Sequence, residues 1–200
     1  MVEIDPKPTP RIQQGDILRD IDFIQRIEII GNEVSIHKIS FPLVIVLTQD
    51  CDLQEDSKYY VKVREAKPSN DDKKLLSVIV APLYNEEMFL QGQHLNDETL
   101  KYTMQIINKK TKGNLTTQYK FLIRNEIPRF HHLKFKETDP IVDQVIDFKH
   151  YFTVNVEDLT NTKDDKFVCK VSQLYREHIS QRFAYFLSRI GLPDMLCNGG

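Results

Sequence analysis

The residues best suited to chemistry follow a segment with the pattern of a buried strand. Residues 41–47 are almost continuously apolar, and polar groups at the end of such a strand often bind ligands or take part in catalysis. Cys51 could act as a nucleophile if a histidine stabilised its thiolate, which is the reactive form. The candidate catalytic residues are Asp50, Cys51, Asp52, His131 and His132. They predict a cysteine–histidine hydrolase, and a small buried thiol beside surface acids is the alternative without catalysis.

The same acids could instead hold a divalent metal ion, because hard cations prefer clustered carboxylates. Four residues near the ends of two predicted strands imitate the acid, acid-x-lysine pattern of metal-dependent nucleases. They are Asp50, Asp52, Glu65 and Lys67. A metal-dependent nuclease is therefore a second enzymatic interpretation. It stays an alternative, and we expect no cofactor and assign no metal ligands.

A basic segment stands out in a chain whose net charge is −2. Residues 101–136 hold nine lysines and arginines but one acid, and aromatic residues are interleaved with them. Rings stack on bases and cations neutralise phosphates, so this composition is typical of a surface for single-stranded nucleic acid. A solvated set of strands is the alternative. The candidate contacts to RNA or DNA are Lys109, Lys110, Lys112, Lys120, Arg124, Arg129, Arg182 and Arg189.

The last two of these arginines lie on a predicted amphipathic helix. It begins after Ser172 as N-cap and ends at Ile190, ahead of Gly191 and Pro193. Its apolar face, which we expect to pack on the strands, is formed by Tyr175, Ile179, Phe183, Phe186 and Ile190. The opposite polar stripe is either solvated or in contact with nucleic acid or a protein. A scaffold that docks through this helix is therefore a third interpretation.

The strands are predicted from apolar runs and from alternation. Residues 41–47 and 76–81 are apolar on both faces, so we expect adjacent strands at the centre of one curved sheet. Residues 15–30 mix the strand and helix periods and precede a turn at Gly31 and Asn32. Further strands are predicted at 59–63 and 148–156, with a hairpin turning at 112–114 that joins 103–107 to 118–123.

Length and composition indicate one folded domain with a small appendage. The chain has 200 residues, of which 40% are hydrophobic and 28% charged. Its longest apolar run is about five residues, far below the roughly 20 that cross a bilayer, and its first residues lack the pattern of a secretory signal. Three widely separated cysteines, Cys51, Cys169 and Cys197, favour a reducing compartment. We therefore expect a cytoplasmic α+β protein without a membrane segment.

We expect three parts along the chain. Residues 1–14 contain three prolines and form an extended N-terminal arm. Residues 15–160 form a strand-rich, barrel-like domain. Residues 161–196 form a C-terminal helical segment that packs on this domain, so the candidate site at the end of residues 41–47 belongs to the barrel.

Three segments and their spacing resemble the PemK/MazF family of small SH3-like barrels. The segments are Gly15-Asp16-Ile17, Pro42 to Leu47 with Thr48, and Val78 to Ala81 with Pro82. Family members are typically messenger-cleaving endoribonuclease toxins paired with an antitoxin. The resemblance implies an SH3-like barrel, here extended by further strands and a C-terminal helix. It also implies a nucleic-acid or protein binding module of a bacterial toxin–antitoxin or phage-defence system, whose partners are RNA or DNA, a protein encoded nearby, or a second copy.

The residues that the family uses for cleavage have no counterpart in this sequence. Family members carry an arginine just before the first proline, where this chain has Phe41. They carry a threonine or serine shortly after the second proline, where this chain has Leu83, Tyr84 and Asn85. The resemblance therefore implies the barrel and a binding function, and not the ribonuclease activity.

Overall fold

A curled antiparallel sheet forms a half-barrel at the centre of a mixed α and β protein. The computed structural model describes residues 1–68, 70–96 and 100–189. In this part of the chain the elements are β1 (Ile4–Asp5), β2 (Asp16–Ile30), β3 (Glu33–Val46), α1 (Asp50–Arg64), β4 (Ser77–Asn85), α2 (Glu86–Leu90), β5 (Lys110–Thr111), β6 (Asn114–Leu115), α3 (Thr117–Ile123), β7 (Phe130–Leu133), β8 (Gln144–Asp147), β9 (Phe152–Asn155), α4 (Val156–Lys166), β10 (Phe167–Val171) and α5 (Gln173–Leu187). Short 3-10 turns occupy Asp71–Lys73 and Phe148–His150.

The strand β4 is the centre of the sheet. The strand order is β1-β10-β2-β3-β4-β8-β7, and β9 pairs with β4 as well. The predicted adjacency of 41–47 and 76–81 is confirmed, because Val46 lies opposite Val80 and Val44 opposite Pro82. For residues 15–30 the sequence did not decide between strand and helix, and they form the long strand β2 from Asp16 onward. The predicted turn at Gly31 and Asn32 connects β2 to β3.

Apolar side chains cover both faces of the sheet, as alternation along buried strands requires. On one face, Ile45, Ala81 and Ile146 pack with residues of α5. On the other face, a second cluster joins the sheet to α1, α3 and α4 through Leu53, Leu122 and Leu159. The central strands are therefore covered on both sides, which explains their continuous apolar sequence.

The predicted C-terminal helix is confirmed as α5. It starts after Ser172 and buries Ile179 and Phe183. The Phe183 ring lies 5.5 Å from that of Phe148, centroid to centroid, and Tyr175 and Phe186 pack against the same cluster. The predicted end at 190, with its glycine and proline, lies outside the described residues.

The strand predicted at 59–63 is wrong, because these residues belong to the helix α1. Alternating Tyr and Val positions favour a strand only locally. The longer segment has Asp50 and Asp52 in its first turn and Lys62 and Arg64 in its last turn. This charge order complements the helix dipole and stabilises a helix.

The hairpin near residue 113 is shorter than expected. The turn is present, but its strands β5 and β6 are two residues each, and residues 103–107 form no strand. Residues 118–123 belong to the helix α3, because the Thr116 hydroxyl accepts a hydrogen bond from Tyr119 N and caps the helix start. The strand expected at 148–156 is confined to β9, between a 3-10 turn and α4.

Both ends of the described chain join the sheet. In the N-terminal arm, Val2 is buried, and β1 pairs with β10 through Ile4 opposite Val171. Residue 160, where we expected a boundary, lies inside α4, and the following strand β10 pairs with β2. The sheet therefore runs through all three of the expected parts. In the described residues, no helix has the length and apolarity needed to cross a membrane.

Gly15 and Asp16 are fixed by close packing at the start of β2. Gly15 has φ +85°, and a Cβ there would lie 2.8 Å from Val171 Cγ2. Asp16 is fully buried, and one of its carboxylate oxygens accepts a hydrogen bond from Gln13 N at 2.9 Å. A glycine followed by a small acid is therefore what this corner requires.

Phe183→Ala should lower the free energy of unfolding by about 3 to 5 kcal/mol, because it removes a buried ring that packs on Phe148. The matched control is Leu174→Ala, since Leu174 on the same helix is 73% exposed, and its loss should cost less than about 0.5 kcal/mol. Urea unfolding of both variants measures the difference. Equal losses would contradict the packing described for α5.

Candidate metal centre

Three side chains converge where β4, β7 and β8 meet. Glu86 directly follows the last residue of β4, Asp143 directly precedes β8, and His132 lies on β7. In the sheet register, Gln144 lies opposite both Asn85 and Leu133. The pairing of the three strands therefore brings the side chains together, and one ligand atom of each lies within 4.8 Å of the others.

Glu86 is held in place by its backbone and by two outer partners. Its N–H donates to the Asp143 carbonyl at 3.0 Å. The Tyr119 hydroxyl donates to Glu86 Oε1 at 2.8 Å, and Lys109 Nζ lies 3.5 Å from Oε2. The nearby His132 ring lowers the pKa of Glu86, as do the Tyr119 hydroxyl and Lys109, although burial alone would raise it. The carboxylate is therefore ionised throughout the physiological range.

His132 is a buried histidine with an unsatisfied nitrogen. The residue is 7% exposed, and its Nε2 has no hydrogen-bond partner among the described residues. Nε2 lies 3.7 Å from Glu86 Oε1, too far for a hydrogen bond. Buried polar atoms nearly always have a partner. The nitrogen thus lies at ion-pair distance from the Glu86 carboxylate, a position from which an imidazole can also coordinate a metal ion.

Asn125 fixes the position of His132 along β7. Its side-chain oxygen accepts a hydrogen bond from His132 N at 2.5 Å, and its Nδ2 donates to His132 O at 3.2 Å. Asn125 has φ 58°, a left-handed conformation that asparagine adopts more readily than most residues. The loop before β7 therefore orients the histidine through its backbone.

Asp143 completes the set and borders a cleft. One of its carboxylate oxygens accepts a hydrogen bond from Phe135 N at 2.9 Å, so the side chain is oriented. A cleft of about 420 Å³ opens beside Glu86 and Asp143, and Lys134, Lys136 and Glu137 are among the residues that line it. A small ligand can therefore approach Glu86 and Asp143 from solvent, while His132 lies buried behind them.

One imidazole and two carboxylates suit a divalent transition metal such as Zn²⁺ or Mn²⁺ better than Ca²⁺, which prefers six or more oxygens. Three protein ligands leave coordination positions for water and substrate. A metal ion in such a site polarises a bound ligand and lowers the pKa of bound water to about 7. With an ion bound, the three residues would hold it, and it would supply Lewis-acid chemistry suited to hydrolysis.

The thiol of Cys51 lies among acids. Cys51 is exposed, and its Sγ lies 3.6 Å from Gln49 Oε1 and 3.5 Å from Asp52 Oδ1. Both neighbours are oxygen atoms, which do not stabilise a thiolate. In the part of the chain that the structure describes, Cys51 makes no contact with His131 or His132. The expected cysteine–histidine pair is therefore not formed.

The carboxylate of Asp50 binds residues of the N-terminal segment. Arg11 holds its carboxylate at both oxygens, at 3.2 and 2.9 Å, and Gln14 N donates to Oδ1 at 3.3 Å. Burial alone would raise the pKa of Asp50, but the hydrogen bonds and charge of Arg11 hold it below its usual range. The carboxylate is therefore occupied by a structural ion pair.

The expected nuclease pattern is split between the two ends of α1, with Asp50 and Asp52 at its start and Glu65 and Lys67 at and after its end. Asp52 lies in the first turn of α1, and Glu65 caps its other end. A helix of 15 residues is about 22 Å long at 1.5 Å per residue. Glu65 forms an ion pair with Lys67 at 2.6 Å. These residues therefore cannot share one metal ion.

His131 and His132 point to opposite sides of the sheet, because neighbours in a strand alternate. The His131 ring lies 5.1 Å from that of His178 on α5. Burial and the neighbouring His178 lower the pKa of His131 to about 3. His131 is therefore neutral near pH 7, and of the two histidines it is His132 that joins the candidate centre.

Several of the expected nucleic-acid contacts are used inside the protein. Arg129 forms a two-point ion pair with the fully buried Asp147, at 2.8 and 2.5 Å. Arg182 donates to the carbonyls of Ile127 and Phe130, so this part of the helix stripe is not merely solvated. Five of the expected contacts are exposed: Lys110, Lys112, Lys120, Arg124 and Arg189.

Sequence reasoning selected His132 but missed Glu86 and Asp143. The strand before Glu86 was predicted only to residue 81, but it continues to Asn85, so Glu86 did not stand out as an acid directly after a buried strand. Asp143 gave no such signal, because β8 was not predicted. Only the register of β4, β8 and β7 places both acids beside the histidine.

The comparisons with known proteins add no relative from which a site could be transferred. No family model, no curated protein and no solved structure matches the chain. The resemblance to the PemK/MazF family therefore rests on the three sequence segments that carry it.

Proposed function

We propose that the protein binds a divalent transition-metal ion through Glu86, His132 and Asp143 and uses it to hydrolyse phosphodiester bonds of a nucleic acid. The observation that carries the proposal is the convergence of one ligand atom from each of the three side chains within 4.8 Å, together with the buried Nε2 of His132. This nitrogen lies 3.7 Å from Glu86 Oε1 and has no hydrogen bond among the described residues. A divalent ion supplies the missing partner and offsets the charge of the two carboxylates.

The surroundings of the three ligands support a stable ion site. The Tyr119 hydroxyl and Lys109 contact Glu86 from outside, and Phe135 N orients Asp143. Such outer partners fix the ligands in their binding orientation and typically change metal affinity 10- to 100-fold when they are removed. The site is therefore organised before an ion arrives.

Phosphate is the substrate chemistry that the neighbouring cations favour. The cleft is lined by five acids, Glu86, Glu87, Glu137, Asp139 and Asp143, and by two exposed cations, Lys134 and Lys136. A phosphate would therefore bind there through an ion held by the acids, with these two lysines beside it. The hairpin of β5 and β6 follows Lys109, which contacts Glu86 and Glu87, and α3 contacts Glu86 through Tyr119. The exposed lysines of the hairpin and of α3 thus extend the cationic surface outward from the cleft, as a polyanion requires.

The barrel type and the biological setting are part of the same proposal. Adjacent β3 and β4 and the tightly packed Gly15 and Asp16 corner support an SH3-like barrel of the PemK/MazF type. A bacterial toxin–antitoxin or phage-defence setting, with a protein partner encoded nearby, is supported by the sequence resemblance alone. The proposed chemistry differs from the family's, since its cleavage residues are replaced in this chain.

Isothermal titration of the purified chain with Zn²⁺ or Mn²⁺ should show about one ion bound per chain with micromolar or tighter affinity. Glu86→Gln and His132→Gln should each weaken binding by at least about tenfold, because each removes one ligand. Glu137→Gln is the matched control, since this exposed acid lines the same cleft outside the ligand set. Absence of binding, or equal weakening by the control, would rule out the centre.

Binding of an end-labelled single-stranded RNA of about 20 nucleotides, followed by fluorescence anisotropy, should weaken in the triple variant Lys110→Ala, Lys112→Ala and Lys120→Ala. The salt dependence of binding should also become shallower, by roughly one ion per lost phosphate contact. The control is a triple variant of exposed lysines on and after α1, at Lys58, Lys62 and Lys67. An equal loss of RNA affinity in both triple variants would show that binding depends only on the net charge of the protein and not on this surface.

Hydrolysis is scored in the same sample by the shortening of the labelled strand with added Mn²⁺. Wild type should cleave it, and Glu86→Gln should not. A protein that binds metal and RNA but leaves the strand intact would disprove the hydrolytic step and leave a metal-dependent binding module.

A further inference from the structure

The outer half of the hairpin formed by β2 and β3 projects beyond the sheet. β10 pairs with β2 only as far as Leu18, and β4 pairs with β3 only from Val44 onward. Between these points and the turn at Gly31, all of which the structure describes, β2 and β3 pair only with each other. We call residues 24–38 the ribbon.

The two faces of the ribbon differ in chemistry. Ile27 lies opposite Ile36, and Ile29 opposite Val34, so these four side chains share one face. Each is between 56% and 73% exposed. The other face carries ion pairs of Glu28 with Arg26 at 2.9 Å and with His37 at 3.1 Å. The face with the ion pairs is therefore suited to contact with water, whereas the aliphatic face favours burial against another apolar surface.

The apolar face runs into a groove at the base of the ribbon. The groove has a volume of about 880 Å³. Ile24 and Ile36 line it from the ribbon, and Val154 and Leu159 line it from the body of the protein. The ribbon thus offers an apolar tip and, at its other end, a groove whose apolar walls are interspersed with polar residues such as Asp22, Lys38 and Asp158.

The geometry points to a second copy of this chain as the occupant of this face, in a two-fold dimer with antiparallel ribbons. A two-fold axis places the tip of each ribbon, at Ile29 and Val34, over the groove of the other copy. The same surface is then buried twice, as an isologous interface requires. Flat faces of β-branched residues also pack well on one another at the spacing of stacked sheets.

The available area agrees with a dimer. The five exposed aliphatic residues on this face of the ribbon offer on the order of 100 Å² each, about 500 Å² in all. A stable interface buries roughly 800 Å² per partner, and the walls of the groove provide the remainder. The five are Ile24, Ile27, Ile29, Val34 and Ile36.

The composition of the face argues against a lipid surface. Segments that lie in a membrane interface combine apolar residues with lysine, arginine and aromatic anchors. The four central residues of this face are aliphatic, and an interface that is strongly apolar at its centre is typical of homodimers.

Sedimentation equilibrium of the full chain, at concentrations up to about 100 µM, tests the inference. Wild type should fit a dimer, and the double variant Ile27→Glu and Ile29→Glu should be monomeric, with dimer affinity at least about 100-fold weaker. Both positions are exposed in the single chain, so the variant should keep its circular dichroism spectrum and thermal midpoint. Leu174→Glu is the control for adding charge at an equally exposed aliphatic residue on α5, and it should stay dimeric.

Three results would overturn the inference. A wild-type chain that is monomeric throughout the concentration range has no such interface. A double variant that remains dimeric shows that another surface is used. A monomeric wild type that binds phosphatidylcholine vesicles with added phosphatidylglycerol, while the double variant does not, shows that the face meets lipid. The metal and RNA measurements use other residues, so their outcome is separate.

Discussion

β4 pairs with three strands, and its burial organises the whole sheet. β9 pairs with its first half, β3 with its middle and β8 with its last residues. Five consecutive residues of β4 are buried, so both of its faces need cover. α5 covers one face, while α1, α3 and α4 cover the other. The helices are therefore where they are because the central strand has no polar face to expose.

The candidate metal centre follows from the way β4 ends. The chain changes from the apolar strand to the helix α2 at Asn85, whose side chain caps the new helix by accepting from Glu87 N and Met88 N. Glu86 is thereby placed at the rim of the core, next to the strands that carry the other two ligands. A carboxylate at this depth needs partners, and Tyr119, Lys109 and His132 lie around it. The same burial that stabilises the sheet thus concentrates charge at one point of its edge.

The sequence predicts those parts of the fold that depend on local periodicity. The central strands are apolar on both faces, and the helix α5 repeats its apolar residues every three or four positions, so both were recognised. The helix α1 was read in part as a strand, because Tyr59 to Val63 alternate while the helix signal lies in charges at its two ends. Short strands such as β7 and β8 carry too few residues for a period to show.

The candidate site was harder to predict, because its residues meet only through long-range pairing. His131 and His132 were equivalent in sequence, and the face of β7 on which each one lies separates them. Arg129 and Arg182 looked like surface cations, but their hydrogen bonds go to a buried carboxylate and to backbone carbonyls. Neither outcome can be read from neighbouring residues in the chain.

Because β1 pairs with β10, part of the sheet can form only late in the synthesis of the chain. β10 joins residues near the start of the chain to residues near its end, so the loop closed by this contact spans most of the sequence. Closing such a loop is slow, and a chain synthesised from its N-terminus cannot close it early. The edge of β2 that β10 covers therefore stays open until residue 171 has emerged. During synthesis the nascent sheet exposes a strand edge that the finished protein conceals.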